Sequence, residues 1–147
     1  MLEVGARCDE GLEGKVQYFD AFESIPAWQE ARELTGLIYK ATVSGPWELE
    51  DVLGEEMRRT AISIPSKIAQ GWGMQDPAQF RRMASTARGQ IFVLKTHMYL
   101  AMDLGYTTQE MFDQVNNALE STLGMIDLLL DGLKRGTFRR GFGGREA

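Results

Sequence analysis

Few residues of this 147-residue chain could do acid–base, metal or nucleophilic chemistry, and their spacing favours no catalytic site. His97 is the only histidine, and Leu94 stands three residues before it, so the Glu-x-x-His pairs of dinuclear carboxylate centres are missing. A lone histidine on a helix without a nearby acid also lacks the orienting partner of a catalytic triad. We therefore interpret His97 as a polar residue at the edge of an apolar helix face.

Three further groups are interpreted as structural. Glu120 and Asp127 are seven residues apart but fall between the apolar positions of their helix, so we expect them to face solvent. The run Gly71-Trp72-Gly73 lacks the G-x-G-x-x-G spacing of a phosphate loop and indicates the end of a helix. Cys8 alone excludes an intrachain disulfide. We predict that the protein is not an enzyme and holds no metal or cofactor.

Basic side chains are the group whose spacing points to a ligand. Residues 57–102 carry one acid and seven bases, whereas residues 1–56 have a net charge of −9 and the whole chain −5. A local positive face can attract phosphate because screening over about 8–10 Å isolates it from distant acids. The candidate phosphate-binding residues are Arg58, Arg59, Lys67, Arg81, Arg82, Arg88 and Lys95. In the alternative interpretation, these bases pair with acids such as Glu30, Glu33, Glu55 and Glu56.

The two ends of the chain differ from the middle in composition. Residues 1–23 are rich in acids and are predicted to be a flexible leader. Residues 136–147 form a basic tail that glycine is expected to keep disordered, in which arginine and phenylalanine can contact phosphates and unpaired bases. Arg139, Arg140 and Arg145 are its candidate RNA contacts. The alternative is a solvated extension whose Lys134 and Arg135 complement the end of the last helix.

Four helices over residues 24–135 must position the candidate side chains. Apolar residues recur at spacings of three and four, and no segment alternates with a period of two for long enough to indicate a strand. The cap and proline signals place the helix starts at Ser24-Ile25-Pro26, about Glu48, Asp76-Pro77 and the capping box Thr107-Thr108-Gln109-Glu110. Connections of about three to five residues force neighbouring helices to run antiparallel. The predicted fold is an all-α, up-down-up-down antiparallel four-helix bundle.

Pro65 lies inside the second helix. It removes the hydrogen bond to the carbonyl of Ala61 and is expected to kink the helix. Ser63 and Ser66 flank it and could satisfy the freed carbonyl.

The second half of the third helix carries more apolar residues than one buried stripe requires. We expect this surplus face to bury against another copy of the chain and to build a homo-oligomer. The predicted interface residues are Phe92, Val93, Tyr99, Leu100, Met102 and Leu104. The alternative is that residues 16–22, with Tyr18 and Phe19, fold back over this face.

The run from Met57 to Gly73, with Ser63-Ile64-Pro65 at its centre, resembles the signature of four-helix-bundle proteins encoded in intervening sequences of bacterial 23S rRNA genes. The resemblance covers roughly residues 20–135 and is specific, because the Ser-Ile-Pro run and the stop Leu104-Gly105-Tyr106 occur together at the right separation. It continues through Trp28, Ala31, Ile38, Tyr39, Phe80, Ala87, Arg88, Gly89 and Leu94.

This resemblance implies a homopentamer without catalytic activity and with a role linked to nucleic acid. The same superfamily contains the accessory variability determinant of diversity-generating retroelements, which looks like a ring of five bundles that binds a reverse transcriptase and its template RNA. The present chain departs from the family pattern at Lys67, Gln70, Gln90 and Val93, where Asn, Glu, Ser and Glu are usual. These changes make the face of helices two and three more basic.

The sequence therefore predicts a non-catalytic, ring-forming accessory protein that binds RNA, or a nucleic-acid enzyme such as a reverse transcriptase, through helices two and three. The alternative is a structural or protein-interaction ring without direct nucleic-acid binding. No apolar run approaches the roughly 18 residues of a membrane span, and residues 1–13 carry acids where a signal peptide is apolar. We expect the protein to be cytoplasmic.

Overall fold

The structure is a computed structural model that describes residues 17–136 and 138–140. Its helices are α1 (Pro26–Ala41), α2 (Leu53–Gly73), α3 (Pro77–Asp103) and α4 (Gln109–Arg135). Short 3₁₀ helices span Phe22–Ser24 and Gly45–Leu49, and two three-residue strands, β1 (Gln17–Phe19) and β2 (Phe138–Arg140), pair with each other.

The four helices enclose one hydrophobic core, because α1 and α3 each pack against both α2 and α4. The predicted all-α fold with four helices is confirmed. The apolar residues that recur at spacings of three and four in the last three helices are buried or, like Leu53 and Phe112, packed half-buried against the core. On the first helix the spacing predicts Trp28, Ala31, Thr35, Ile38 and Thr42 as the inward face. Ala31, Ile38 and Thr42 are buried, whereas Trp28 and Thr35 are only half-buried and lie at the edges of the buried face. The buried residues of α1 are Ala27, Ala31, Leu34 and Ile38.

The start of α2 at Leu53 corrects the predicted start near Glu48. The backbone N–H groups of Val52 and Leu53 donate to the Glu50 carboxylate over 2.7 and 2.6 Å, so Glu50 satisfies two groups that a helix start leaves free. The preceding segment forms a 3₁₀ helix instead, in which Trp47 is buried and lies 5.3 Å from the ring of Tyr106.

The N-caps of α1 and α4 each lie one residue after the predicted capping residue. Ser24 does not cap α1, because its hydroxyl donates to the carbonyl of Ala21 at 2.6 Å and Ile25 is the N-cap. The cap of α4 is Thr108 rather than Thr107, since the Thr108 hydroxyl accepts from the N–H of Met111. The predicted cap of α3 is confirmed, with Asp76 accepting from the N–H of Ala78 at 3.1 Å.

α2 continues through Pro65 without interruption. Pro65 has no backbone N–H to donate to the carbonyl of Ala61. That carbonyl instead accepts a hydrogen bond from the Thr35 hydroxyl of α1 at 3.0 Å. The predicted role of the flanking serines is wrong, because Ser63 donates to the carbonyl of Thr60 and Ser66 to that of Ile62.

The two strands differ from the prediction of a strand-free chain with flexible ends. β1 and β2 pair in parallel, with Phe19 opposite Arg140, and Phe19 is only 4% exposed. The sequence pattern could not reveal them, because three residues are too few for an alternation and the partners lie about 120 residues apart. Part of the predicted leader therefore packs on the helical core through Phe19, and it pairs with part of the predicted tail.

Candidate nucleic-acid interface and the outward face of α3

The exposed face of α3 is divided along its length into two chemically different halves. Side chains three and four residues apart share one side of a helix, so one face runs from Ala78 to Leu104. The half nearer the N-terminus, the cationic half of α3, consists of Ala78, Arg81, Arg82, Ser85, Thr86 and Gly89, all exposed. The other half, the apolar half of α3, is defined by its exposed apolar residues Phe92, Val93, Tyr99, Leu100 and the C-cap residue Leu104, with the exposed polar residues Thr96 and Asp103 among them.

A shallow open depression of about 470 Å³ lies on the cationic half of α3. It is lined by Ala78, Arg81, Arg82, Ser85 and Thr86. Neither arginine forms an ion pair within residues 17–136, and the Thr86 hydroxyl donates to the carbonyl of Arg82 at 3.1 Å. Two free guanidinium groups beside exposed hydroxyls are chemically suited to bind phosphate oxygens.

Lys67 lies on the neighbouring helix α2 and is not one of the residues that line the depression. The backbone of Gly71 on α2 packs against Phe80 and Met83 of α3, and a Cβ at Gly71 would come within 3.0 Å of Met83. Lys67 is one turn before that contact, half-buried, and without an ion pair among the described side chains. Three of the seven predicted bases therefore have no charged partner in the region that the structure describes, namely Lys67, Arg81 and Arg82.

Two of the other predicted bases are engaged near the start of α2. The Arg58 guanidinium donates to the hydroxyl and the carbonyl of Thr42 at 2.9 and 3.2 Å and lies 5.9 Å from the Tyr39 ring centre. Arg59 pairs with Glu55 at 2.7 Å and more loosely with Glu56 at 3.8 Å. Arg58 is thus a structural contact between α1 and α2, and Arg59 is partly neutralised.

Two more bases of α3 pair with acids of α4. Arg88 lies 2.6 Å from Asp127, and Lys95 pairs with Glu120. Both bases also contact the ring of Phe92, at 5.4 and 5.8 Å from its centre. Both acids are largely exposed, as predicted, but they also neutralise bases that were predicted to bind phosphate. From the first contact to the second, the residue number rises from 88 to 95 on α3 and falls from 127 to 120 on α4.

In the part of the chain that the structure describes, these contacts separate the seven predicted bases into four that are engaged and three that are not. They also correct the alternative interpretation, in which the bases pair with acids such as Glu30, Glu33, Glu55 and Glu56. Glu55 and Glu56 do pair with a base, as that alternative proposed, but the acids that engage the bases of α3 come from α4. Glu30 of α1 instead accepts a hydrogen bond from Ser121 of α4 at 3.1 Å. Ser85, Thr86 and Gly89 were not identified as site residues from the sequence. Their positions three and four residues apart after Arg81 and Arg82 are the signal that could have placed them on the same helix face.

The apolar half of α3 is exposed along its whole length in the described structure. Its side chains are between 41 and 62% exposed, and the remaining predicted interface residue, Met102, is half-buried. Contrary to the alternative, Phe19 does not cover this face, because it lies in the core, and the Phe22 ring packs 5.2 Å from Trp28 of α1.

His97 lies at the edge of α3, half-buried as predicted. Its Nδ1 atom is buried and has no hydrogen-bond partner among the described residues. Desolvation by burial lowers the pKa of His97, and the nearby negative charge of Glu56 opposes that shift more weakly. The lowered pKa favours a neutral imidazole at neutral pH.

The remaining predicted site residues lie at the ends of the chain. The backbones of Arg139 and Arg140 belong to β2, opposite Tyr18 and Phe19, whereas Arg145 and Cys8 lie outside the described residues. Within the described ranges, no three His, Cys, Asp or Glu side chains come together as metal ligands would. None of the helices described there combines the length and apolar character that crossing a bilayer requires.

Comparisons with known proteins agree with this architecture. The model of the 23S rRNA-intervening sequence protein family matches residues 23–127, well over half of the chain. The crystal structure of a protein of unknown function from the S23 ribosomal protein family of Bacteroides thetaiotaomicron is similar in fold, with a TM-score of 0.64 and 20% sequence identity over 71% of this chain and 97% of that one. No curated protein matches the sequence. The chain belongs to the 23S rRNA-intervening sequence protein family.

Proposed function

We propose that this protein is a non-catalytic, homo-oligomeric accessory factor that binds RNA, alone or together with a nucleic-acid enzyme such as a reverse transcriptase. The observation that carries the proposal is that Lys67, Arg81 and Arg82 form no ion pair in the described part of the chain, and that the two arginines line one depression. Membership of a family named for rRNA-gene intervening sequences supports a link to nucleic acid.

The second part of the proposal concerns assembly. We infer an antiparallel up-down-up-down bundle, which the opposite numbering of the Arg88–Asp127 and Lys95–Glu120 contacts supports. Copies dock through the apolar half of α3, because burying apolar surface contributes about 25 cal/mol per Å². The resemblance to the accessory variability determinant favours five copies in a ring. Such a ring repeats the cationic half of α3 several times, so weak phosphate contacts add up to useful affinity.

The test is a titration of a structured RNA at about 50 and 200 mM salt. Three phosphate contacts per protomer predict that affinity falls about 40-fold per engaged protomer over this range, because bound bases release counterions. Reversal of both arginines, Arg81→Glu with Arg82→Glu, is expected to abolish binding while the assembly stays intact. Absence of binding by the wild-type protein at either salt concentration would refute the proposal.

A second candidate function is a structural or protein-interaction ring. The observation that favours it is that Arg58, Arg59, Arg88 and Lys95 already contact other side chains of the chain. On this alternative the two free arginines pair with acids of a neighbouring copy, so the same double reversal disrupts assembly. The subunit number of that variant therefore separates the two functions.

A further inference from the structure

The cationic half of α3 has small residues along its centre and cations at its sides. Ala78, Ser85 and Gly89 follow one line along the helix at spacings of seven and four. Arg81 and Arg82 are adjacent, so their side chains leave the helix about 100° apart, one on each side of that line. The depression over the small residues is thus bordered by two free guanidinium groups. A linear polyanion that lies along the small residues can contact both guanidinium groups, so it fits this arrangement better than a flat nucleobase does.

The aromatic side chains that could stack on bases lie elsewhere. Among residues 19–136, whose burial the structure describes, the large exposed side chains that are aromatic are Tyr39, Phe92 and Tyr99. The Tyr39 ring contacts Arg58, Phe92 lies beside Arg88 and Lys95, and Tyr99 packs 5.3 Å from Phe112. Binding of single strands relies on stacking of bases on aromatic rings, whereas double-stranded RNA is recognised through phosphates and 2′-hydroxyl groups. The composition of the cationic half of α3 matches the second mode.

Gly89, like Gly36 and Gly124 in the other helices, leaves open space where a side chain would stand, and at Gly89 this space lies beside the depression. It lies in the middle of α3, where glycine is less favourable for a helix than alanine. A Cβ built at Gly89 would meet no atom within 4 Å, so packing within the described chain does not require a glycine there. A ligand backbone that lies directly on the helix does benefit from the missing methyl group.

We propose that the cationic half of α3 binds the phosphate backbone of double-stranded RNA, independently of base sequence, and that the backbone comes closest to the helix at Gly89. This inference rests on the proposed function and narrows it to one class of RNA. Arg81 and Arg82 contact phosphates on the two sides of the line, and the Ser85 and Thr86 hydroxyls are within the same depression to contact phosphate or 2′-hydroxyl oxygens.

The first experiment compares RNA duplexes of about 20 base pairs, in two unrelated sequences, with single strands of the same length. The full-length protein is expected to bind both duplexes within about twofold of each other and about tenfold more tightly than either single strand. Arg81→Gln combined with Arg82→Gln is expected to weaken duplex binding about tenfold or more, whereas Lys40→Gln, which removes an exposed charge from α1, changes it by less than about twofold.

The outcomes separate this inference from the function on which it rests. If no RNA binds at low salt, the proposed function and this inference both fail. If single strands bind as tightly as duplexes, or if one duplex sequence is strongly preferred, the protein binds RNA but the inference is overturned.

The second experiment uses Gly89→Ala with Gly124→Ala of α4 as the matched control, because a Cβ at either position meets open space. Both variants are expected to raise Tm by a few degrees, since alanine favours a helix. Only Gly89→Ala is expected to weaken duplex binding, by about fivefold or more, with an unchanged subunit number in sedimentation. Equal binding by the two variants, or a subunit number altered by Gly89→Ala, would overturn the assignment of Gly89 to the RNA contact.

Discussion

The hydroxyl of Thr35 on α1 lies 3.0 Å from the carbonyl oxygen of Ala61 on α2. Pro65 has no N–H to give to that carbonyl, so a side chain of the neighbouring helix replaces the missing backbone donor. The same hydroxyl lies 2.8 Å from the carbonyl of Ala31 and shares its single hydrogen between the two oxygens. This contact keeps α2 continuous through the proline and fixes the part of the helix that carries Lys67.

Replacing Thr35 should therefore destabilise the fold through α2. In Thr35→Val the carbonyl of Ala61, which is fully buried, loses its hydrogen bond, and we expect a loss of about 1–3 kcal/mol in the free energy of unfolding. Ser66→Ala is the control, because the Ser66 hydroxyl is exposed and bonds only within its own helix, and should cost less than about 0.5 kcal/mol. Urea unfolding measures both.

A double-mutant cycle with Pro65→Ala tests the mechanism. Alanine at position 65 restores an N–H that can reach the Ala61 carbonyl, so Thr35→Val should cost clearly less in that background. An equal cost in both backgrounds would show that the Thr35 contact does not compensate for the proline.

Gly71 is a position of close packing between α2 and α3. A Cβ there would lie 3.0 Å from the Cβ of Met83 and 3.2 Å from the backbone of Phe80, so α2 and α3 must move apart. We expect Gly71→Ala to lower the free energy of unfolding by about 1–3 kcal/mol despite the better helix propensity of alanine. Gly124→Ala meets no neighbour and should raise it by about 0.5–1 kcal/mol. A stabilised Gly71→Ala variant would contradict the packing described here.

The cap at the start of α2 predicts a pH dependence of stability. Hydrogen bonds from the backbone N–H groups of Leu53 and Val52 lower the pKa of Glu50 below its ordinary value of 4.5, and a side-chain hydrogen bond from Tyr106 lowers it further. The contribution of the carboxylate is therefore complete above pH 4.5 and disappears as the pH falls through the lowered pKa. The Tm difference between wild type and Glu50→Gln should be largest near neutral pH and shrink in acid. Glu48→Gln controls for the loss of one charge in the same segment.

The paired bases of α3 should contribute little to RNA affinity. Arg88 and Lys95 face Asp127 and Glu120, which repel phosphate as much as the bases attract it. We expect Arg88→Gln and Lys95→Gln to weaken binding of duplex RNA by less than about threefold, compared with about tenfold for the double Arg81, Arg82 variant. Filter binding at low salt measures the difference. Equal losses at all four positions would show that the whole basic stretch forms the interface.

The sequence was sufficient for the helices and for most of the core. From α2 to α4, apolar residues recur at spacings of three and four, and residues such as Ile64, Ile91 and Ile126 are buried because this spacing sets a continuous inward face. The exact helix starts could not be predicted in the same way. Whether Glu50 or Thr108 accepts the free N–H groups depends on the path of the preceding loop, which local propensity does not determine.

The candidate site was predictable only in outline. Composition identified the basic stretch, but the partner of Arg88 is 39 residues away on another helix, and only the register between α3 and α4 brings Asp127 to it. The same register decides that Lys95 is paired whereas Arg81 is not. Ser85 and Gly89 carry no charge, so composition alone gives no signal for them, and only the exposed face of α3 places them beside Arg81 and Arg82.

Assembly through the apolar half of α3 is tested most directly by sedimentation of the full-length 16.5 kDa chain. We predict a wild-type oligomer, with a pentamer favoured, and a monomer for Leu100→Asp, because a carboxylate cannot be buried there unpaired. Leu128→Asp, which places the same charge at an exposed leucine of α4, should sediment like the wild type. A wild-type protein that sediments as a folded monomer at micromolar concentration would contradict assembly through the apolar half of α3.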